Sequence, residues 1–272
     1  MDDKLTGILH YFSLRARIIH AGSLCQSTNF DAGDGLGYIH VLRSGTVKIK
    51  SPDQSELTLS EPSLLFYMNP ITHLVSPMTE DVDLVCASFD FGTHLKNPLA
   101  RALPDALVLK LEEVPSLKAS LQLLFSEAQE NYLGQQSLLD RLFEVIIIQL
   151  LRELIDQKHL QIGLLAGLAE PRLCKAIIAI HAQPATSWTL DNLGEIAGMS
   201  RASFAKKFRE IVGITPGQYL NDWRMGVAQS LLRNGKSLQL VAEAVGYANT
   251  SALSRAFTAT VGTSPSKWRK QN

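Results

Sequence analysis

The sequence has few cysteines, few aromatic residues and no long hydrophobic run. Its 3 cysteines, Cys25, Cys86 and Cys174, are not arranged in the paired spacing of a zinc finger or a redox motif, which argues against a disulfide framework and a structural zinc site. An uncharged apolar run of about 18 residues, as a membrane span would need, is absent. The first residues, Met1-Asp2-Asp3-Lys4, lack the apolar core of a secretory signal. These absences predict a soluble, cytoplasmic chain with free thiols and no membrane partner.

The chain also lacks a net charge, because 26 basic residues balance 26 acidic ones. The two signs are unevenly distributed along it. Residues 171–272 contain 13 Lys and Arg against 5 Asp and Glu, a net charge of +8, and residues 1–170 contain 13 against 21, a net charge of −8. A basic half is typical of a surface that neutralises nucleic-acid phosphates. We therefore expect two domains, of which the second binds a polyanion.

The basic half contains one helix-turn-helix pattern written twice. Thr189 and Ser237 are hydroxyl residues that can cap the first turn of a helix, and apolar residues follow each at helical spacing. Gly198 and Gly246 then stand where each first helix must end in a sharp turn, a position that favours a residue able to adopt positive φ. The pattern predicts two copies of the same helical pair.

The second helix of each copy combines an apolar stripe with a polar outer face. Phe204, Phe208 and Val212 form the first stripe, and Leu253, Phe257 and Val261 form the second. Helices of this kind enter the major groove of DNA, where basic and hydroxylated side chains contact base edges and phosphates. The alternative is a plain helical hairpin in an ordinary bundle. The outer faces carry Arg201, Ser203, Lys206, Lys207 and Arg209, and Thr250, Ser251, Ser254 and Arg255.

The end of the second copy resembles the signature of the AraC/XylS family of bacterial transcription regulators. The matching segment runs from Gly246-Tyr247 through Arg255 and Phe257 to Gly262-Thr263-Ser264-Pro265 and Trp268-Arg269. In that family two helix-turn-helix units, joined by a long helix, reach successive major-groove turns on one face of the DNA. The resemblance covers about the last hundred residues, and it implies that residues 216–233 form the joining helix.

The resemblance also assigns base-reading positions. It implies readers at Ala202, Ala205 and Lys206 in the first copy, and at Thr250, Ser251 and Arg255 in the second. Because two of the first three are alanines, we expect the first helix to read little beyond thymine methyls and DNA shape. The full set of predicted double-stranded DNA contacts is Arg201, Ala202, Ser203, Ala205, Lys206, Lys207, Arg209, Asn249, Thr250, Ser251, Arg255, Lys267 and Arg269.

The acidic half begins with short β-prone runs separated by turn residues. Val47 and Ile49 alternate with lysines, and further runs follow at 57–59, 63–67, 73–75 and 82–91. Regularly spaced short strands predict a sandwich or small barrel. Gly37-Tyr38-Ile39-His40 and Gly45, and later Pro70-Ile71-Thr72-His73, resemble degenerate versions of the two cupin motifs. We therefore expect a cupin-like sensor domain.

A small-molecule effector pocket is predicted inside this domain, at Tyr38, His40, Phe66, His73 and Cys86. The same two imidazoles and thiolate could in principle converge on a metal ion such as zinc. A metal-binding cupin would normally also have a second histidine after His40 and a carboxylate near Ser44, and both are missing. We therefore predict no metal and no cofactor, and interpret these residues as core or pocket side chains.

Beyond Phe91 the sequence predicts helices. Residues 117–130 are amphipathic, and residues 138–155 are strongly apolar, with more apolar surface than one contact with a small barrel requires. This favours a homodimer interface that includes Ile147 and Leu151, with intradomain core as the alternative.

The sequence therefore predicts an α+β protein: an N-terminal cupin-like β-barrel with helices, and a C-terminal all-α domain with two helix-turn-helix units. The predicted boundaries are 1–160 for the effector-binding and dimerisation domain, 161–170 for a linker and 171–272 for the DNA-binding domain. The expected function is effector-controlled, sequence-specific transcription regulation without catalysis, and RNA polymerase would be a partner if the protein is an activator. Two alternatives stay open. One is a cupin metalloenzyme with an appended DNA-binding domain, and the other is an RNA-binding adaptor, which lacks the expected exposed aromatic platforms.

Overall fold

A computed structural model describes residues 4–11, 14–53, 55–91, 105–130, 132–156 and 162–271. These residues divide into two compact units. The sheet unit contains residues 14–90 and 105–154, and the helical unit contains residues 4–11, 155–156 and 162–271. The predicted α+β class, with antiparallel sheets before an all-helical region, is confirmed.

The sheet unit consists of two antiparallel sheets that face each other across a common core. The first has the order β1-β8-β3-β6-β9 and the second β2-β7-β4-β5. The core between them is apolar and aromatic, with Phe30, Tyr38, Leu65 and Tyr67 among its buried side chains. The strands are β1 (Arg15–Ser23), β2 (Thr28–Phe30), β3 (Gly37–Ser44), β4 (Val47–Lys50), β5 (Glu56–Leu59), β6 (Ser63–Tyr67), β7 (His73–Pro77), β8 (Asp83–Asp90) and β9 (Leu107–Lys110).

Strand β9 contradicts the expectation that only helices follow Phe91. It pairs antiparallel with β6 at one edge of the first sheet, from Ser63 opposite Lys110 to Phe66 opposite Leu107. Four residues are too few for alternation of apolar and polar side chains to be recognised, and the pairing partner lies about forty residues earlier in the chain.

Two helices, α2 (Lys118–Gln129) and α3 (Gln135–Asp156), complete the sheet unit. Helix α3 protects the other edge of the first sheet. The carboxylate of Asp140 accepts a hydrogen bond from Ile18 N at 2.7 Å, and that of Glu144 accepts one from Ala16 N at 3.4 Å. Side chains of α3 thereby satisfy edge-strand N–H groups that would otherwise be open to pairing with another chain.

The inner face of α3 is core, so the assignment of Ile147 and Leu151 to a dimer interface is wrong. Both side chains have 0% exposure within the single chain. The apolar excess that suggested a second partner is used within the chain itself, since Leu139, Phe143, Ile146, Leu150 and Leu154 are buried as well.

The helical unit contains the two predicted helix-turn-helix copies. The predicted joining helix is present as α8, which begins at Pro216 as expected of a residue that lacks an N–H group. The helices are α1 (Thr6–Tyr11), α4 (Leu164–Ala169), α5 (Pro171–Ala182), α6 (Leu190–Ile196), α7 (Arg201–Val212), α8 (Pro216–Arg233), α9 (Leu238–Ala244), α10 (Thr250–Val261) and α11 (Pro265–Gln271).

Two segments that lie outside the predicted DNA-binding domain pack with the helical unit. The expected linker contains α4, which is buried and contacts α5 and α7, and the N-terminal helix α1 contacts α5 and α8. Gly167 allows the first of these contacts, because a Cβ there would lie 2.7 Å from Ile177 Cδ1. The boundaries at 160 and 170 stay a prediction, since packing does not by itself define a segment that folds independently.

His181 lies at the centre of this unit. Its ring stacks on Trp223 with a centroid distance of 3.7 Å, and its Nε2 is hydrogen-bonded to Tyr219 Oη at 2.5 Å. Burial lowers the pKa of His181 to about 3. The imidazole is therefore neutral in the folded protein throughout the ordinary pH range.

We predict that His181 makes the helical unit less stable in mild acid. Below about pH 6.5 the His181 imidazole is protonated in the unfolded chain but stays neutral in the folded chain. The unfolding free energy therefore falls by about 1.4 kcal/mol per pH unit towards pH 3. Urea unfolding at pH 7.0 and 5.5 measures this, with tryptophan fluorescence as the signal because all three tryptophans lie in this unit. His181→Phe should remove about one proton from the pH dependence. If the unfolding free energy of His181→Phe depends on pH as steeply as that of the wild type, His181 is not the group responsible.

Candidate functional site

The two helix-turn-helix copies have matching hydrogen bonds at their turns. In the first copy Gly198 N donates to Glu195 O at 2.9 Å and Met199 N to Gly194 O at 2.8 Å. In the second copy the residues 48 positions later repeat both bonds, with Gly246 N donating to Glu243 O at 3.2 Å and Tyr247 N to Ala242 O at 2.9 Å. Gly198 and Gly246 have φ values of 63° and 76°, which favour glycine. The predicted duplication is confirmed at the level of the backbone.

Side-chain caps start each helix of both copies as predicted. Thr189 accepts from Asn192 N and Ser237 from Leu240 N at the first helices. At the second helices Ser200 accepts from Ser203 N and Asn249 from Ala252 N. Because each cap satisfies an N–H group that has no partner within the helix, the start of α7 and of α10 is defined by local sequence.

Helix α7 presents the predicted first-copy contacts on its outer face, while Phe204 and Phe208 are fully buried beneath it. Arg201, Ala202, Ser203, Lys206 and Arg209 are exposed, and Ala205 is half-buried. Two of the cations have acidic neighbours at longer range. Arg201 lies 3.5 Å from Asp191 and Lys206 4.0 Å from Glu210, and both pairs are exposed enough to exchange readily with another anion.

Lys207 has a different environment from the other α7 cations. Its Nζ lies 2.5 Å from Glu170 Oε1. Glu170 also caps α5, where its second carboxylate oxygen accepts from Arg172 N and Leu173 N. Although burial opposes it, these bonds hold the pKa of Glu170 below its usual value. The geometry directs Lys207 toward the start of α5, and its predicted DNA contact would require this ion pair to open.

Helix α10 and the segment after it carry the second-copy positions. Asn249, Ser251 and Arg255 are exposed and Thr250 is half-buried, above a base formed by Leu253 and Phe257 with 0% exposure. Lys267 and Arg269 are exposed on α11, on either side of the buried Trp268. Within the described parts of the chain, Arg209, Arg255, Lys267 and Arg269 have no acidic partner. Their charges are available to a polyanion.

Arg224 on α8 connects the two copies, a role that was not predicted from the sequence. Its guanidinium donates to Pro184 O at 2.7 Å and to Thr186 O at 2.9 Å, both just before the first copy. The same group lies 5.9 Å from the ring centroid of Tyr247 in the turn of the second copy, and Tyr247 Oη donates to Asn221 Oδ1 at 3.1 Å. These contacts connect the loop before the first copy to the turn of the second copy. A long polar side chain within an apolar helix stripe was the one available signal.

The predicted effector residues of the sheet unit only partly come together. Tyr38, His40, His73 and Cys86 meet in the core between the sheets, where all are 3% exposed or less. His40 is hydrogen-bonded through Nδ1 to Cys86 Sγ at 3.0 Å and through Nε2 to His73 Nε2 at 2.8 Å. Phe66 is also fully buried, but it stacks on Phe89, and alternation along β6 places it on the opposite sheet face from Tyr67.

This cluster is neutral and closely packed. Burial, and the repulsion that a protonated His73 would exert on a protonated His40, lower the pKa of His40 well below its usual value, and burial likewise lowers the pKa of His73. Burial also raises the pKa of the Cys86 thiol. Phe30 stacks on His73 at a centroid distance of 5.0 Å and contacts His40 edge-on at 4.7 Å.

The cluster does not fit a metal ion of the kind that cupins can bind. His40 directs its two ring nitrogens to different partners, so Cys86 and His73 lie on opposite sides of it and do not converge with it on one point. The Cys86 thiol is held protonated, whereas a metal ligand must be a thiolate. Within the described residues, no group of three or more His, Cys, Asp or Glu side chains could hold a metal ion.

Comparison with known proteins identifies both units. Residues 3–156 match a cupin family model and residues 193–271 a helix-turn-helix domain model. The fold and the duplicated helical pair therefore define a cupin joined to a helix-turn-helix domain. The chain belongs to the cupin family over residues 3–156, and its C-terminal unit carries an AraC-type helix-turn-helix domain. Among its described helices, none has the length and hydropathy that crossing a membrane requires.

Three relatives illustrate the match. An HTH-type transcriptional regulator of Haemophilus influenzae is 33% identical over 199 residues, which are 73% of this chain and 66% of that protein. An AraC-like transcription regulator of Streptomyces lividans is 32% identical over 70% of this chain and 64% of its own length. The RCS-specific HTH-type transcriptional activator RclR of Escherichia coli K12 is 29% identical over 85% of this chain and 84% of its own length. The chain thus spans slightly under two thirds of the first two relatives.

Proposed function

We propose that this protein is a regulator of transcription that binds double-stranded DNA in a sequence-specific manner through α7 and α10. One observation carries the proposal. Two helices with exposed, basic or hydroxylated outer faces are held in one compact unit, with matching caps and turns, by a joining helix. Two such helices suit successive turns of the major groove on one face of the DNA.

The roles of the contact residues follow from where they lie. Arg255 lies two positions before the buried Phe257, about 200° around the helix, so it projects away from the core. A guanidinium so placed can donate two hydrogen bonds to one guanine edge. Arg269 lies beside Lys267 and Lys270 near the end of the chain, and we assign it to phosphate contact.

We predict that alanine substitutions of these two arginines change DNA binding in different ways. Arg255→Ala should relax the preference at one base pair, weakening binding to the preferred site by about 1 to 3 kcal/mol. Arg269→Ala should weaken all sequences about equally and reduce the salt dependence by roughly one phosphate contact. Selection of bound sequences from a randomised DNA pool by both variants tests this. If Arg255→Ala keeps the preferred sequence and Arg269→Ala changes it, the assignment of roles is reversed.

The proposal extends to control by a small-molecule effector in the sheet unit, without catalysis. The imidazole and aromatic side chains of Tyr38, His40, Tyr67 and His73 offer ring contacts and hydrogen-bonding atoms to such a ligand. All four are at most 3% exposed, so an effector would reach them only after the two sheets separate locally. A cytoplasmic location accords with DNA as the partner.

We also propose that the protein is a homodimer and, if it is an activator, contacts RNA polymerase. Leu138 and Val145 support the first point, since they are 42% and 43% exposed and lie seven residues apart on the outer face of α3. The name of the Escherichia coli relative, an activator, supports the second. Sedimentation of the purified chain tests the dimer, and transcription in vitro from a bound promoter tests the activation.

A further inference from the structure

An open cavity of about 520 Å³ lies in the helical unit, between the first helix-turn-helix copy and the start of α8. Its volume is within the range of roughly 300 to 1,000 Å³ that is typical of small-molecule sites. The walls are mainly apolar and include Trp188, Leu190, Leu193, Pro216 and Leu220. The cavity is thus large enough for a ligand and is distinct from the packed interior of the sheet unit.

Two cations line one side of this cavity. Lys206 and Arg209 are three residues apart on α7, so they project from the same face of that helix. None of the described residues that line the cavity is acidic. Glu210 approaches Lys206 only to 4.0 Å, at a pair whose side chains are 79% and 60% exposed. Arg209 and Lys206 therefore present positive charge at the mouth of an apolar cavity.

We propose that this cavity binds a small amphipathic carboxylate, with the apolar body against Leu190, Leu193 and Leu220 and the carboxylate on Lys206 and Arg209. The guanidinium and ammonium groups supply charge-assisted hydrogen bonds to one anionic group. A neutral ligand would make no such bonds, and a ligand with several charges would place some of them against the apolar walls. One carboxylate on an apolar body matches both parts of the site.

The ligand would compete with DNA, a consequence that rests on the proposed function. Ala205 and Lys206 line the cavity and are also assigned to the reading face of α7. An occupant whose carboxylate pairs with Lys206 removes that cation from the DNA. The carboxylate would thus inhibit DNA binding directly at the first copy, independently of any effector in the sheet unit.

Trp188 provides a direct signal for binding to the full-length protein. Octanoate, which is optically silent, should quench its fluorescence saturably, and uncharged 1-octanol should bind at least about tenfold more weakly because it lacks the charge-assisted bonds. Arg209→Ala should weaken octanoate by roughly tenfold. Trp188→Phe should lose the quenching, since Trp223 and Trp268 are buried away from the cavity. Quenching that persists in Trp188→Phe, or is unchanged in Arg209→Ala, would overturn the proposal.

Gly217→Leu offers a variant that fills the cavity without disturbing the fold. Gly217 lines the cavity in the first turn of α8, and a Cβ built on it meets no atom within 4 Å. Leucine also has the higher helix propensity. The variant should reduce octanoate binding by about tenfold or more and, because Gly217 is not among the assigned DNA contacts, change DNA affinity by less than about twofold. Unaltered octanoate binding by Gly217→Leu would contradict the proposed site.

DNA competition separates this inference from the proposed function. With wild type, octanoate should raise the apparent Kd for DNA in proportion to its occupancy, and Gly217→Leu should lose that rise. If wild type binds DNA but octanoate neither quenches Trp188 nor competes, the cavity proposal fails and the regulator proposal stands. If octanoate binds as expected but the protein binds no DNA, the proposed function fails and the carboxylate site stands.

Discussion

Ile147→Asp is expected to unfold the sheet unit rather than to produce a folded monomer. The side chain is fully buried on the inner face of α3, so the substitution loses its packing, which costs about 2 to 5 kcal/mol. It also places a carboxylate in an apolar core without a partner. The sum is comparable with the whole stability of a domain, roughly 5 to 15 kcal/mol. Circular dichroism and a thermal melt should show loss of the cooperative transition of this unit.

Val145→Asp is the matched control, because Val145 lies on the same helix but is 43% exposed. We expect that variant to stay folded, with a change in the stability of the monomer of about 0.5 kcal/mol or less, even where it weakens the proposed homodimer. A folded, cooperative Ile147→Asp protein would show that the inner face of α3 is not core, and it would restore the interface that the sequence first suggested.

Gly246→Ala should disrupt the helical unit much more than the equivalent change in the first copy. Both Gly246 and Gly198 have positive φ, so alanine is strained at either position by about 1 to 3 kcal/mol. At Gly198 a Cβ meets nothing within 4 Å, whereas at Gly246 it would press on the carbonyl of Ala185 and lie 2.8 Å from Ala185 Cα. Since these contacts are with backbone, the chain itself must shift, which adds roughly 1 to 3 kcal/mol.

Gly246→Ala should also weaken DNA binding more than Gly198→Ala does. Ala185 lies in the loop that Arg224 holds against the second copy, so a shift there changes the angle between α7 and α10. Gly246→Ala should therefore lose affinity for a site that engages both helices, and Gly198→Ala should keep it. Urea unfolding and DNA titration of the pair measure both effects. Equal behaviour of the two alanine variants would show that the close approach at Ala185 has no part in orienting the copies.

The parts of the fold that local chemistry defines could be predicted from sequence. Thr189, Ser200, Ser237 and Asn249 are capping residues a few positions from the N–H groups they satisfy, so the start of each helix in both copies is determined within one turn. The duplication strengthens the prediction of these helices, because residues of the same type recur at matching positions in both copies. The exposed outer faces of α7 and α10 followed from the same helical spacing.

Features that depend on distant parts of the chain could not be predicted in the same way. Lys207 is directed to Glu170, 37 residues away, and Arg224 to backbone oxygens 38 and 40 residues away, and no local pattern encodes such partners. Whether the apolar face of α3 is covered by its own chain or by a second copy is likewise decided by tertiary packing. Phe66, predicted as an effector residue, lies on the other sheet face because strand alternation along β6 places it opposite to Tyr67, where it stacks on Phe89.

Selection of DNA sequences by the full-length wild-type protein, followed by titration of the selected site against salt, tests whether α7 and α10 read DNA. We expect one enriched site with two recognised segments about 10 to 10.5 base pairs apart, one for each reading helix. Affinity for it should fall steeply and linearly on a logarithmic salt scale, as phosphate contacts release counterions. A pool without an enriched sequence, or an affinity that does not change with salt, would contradict the claim that α7 and α10 read DNA.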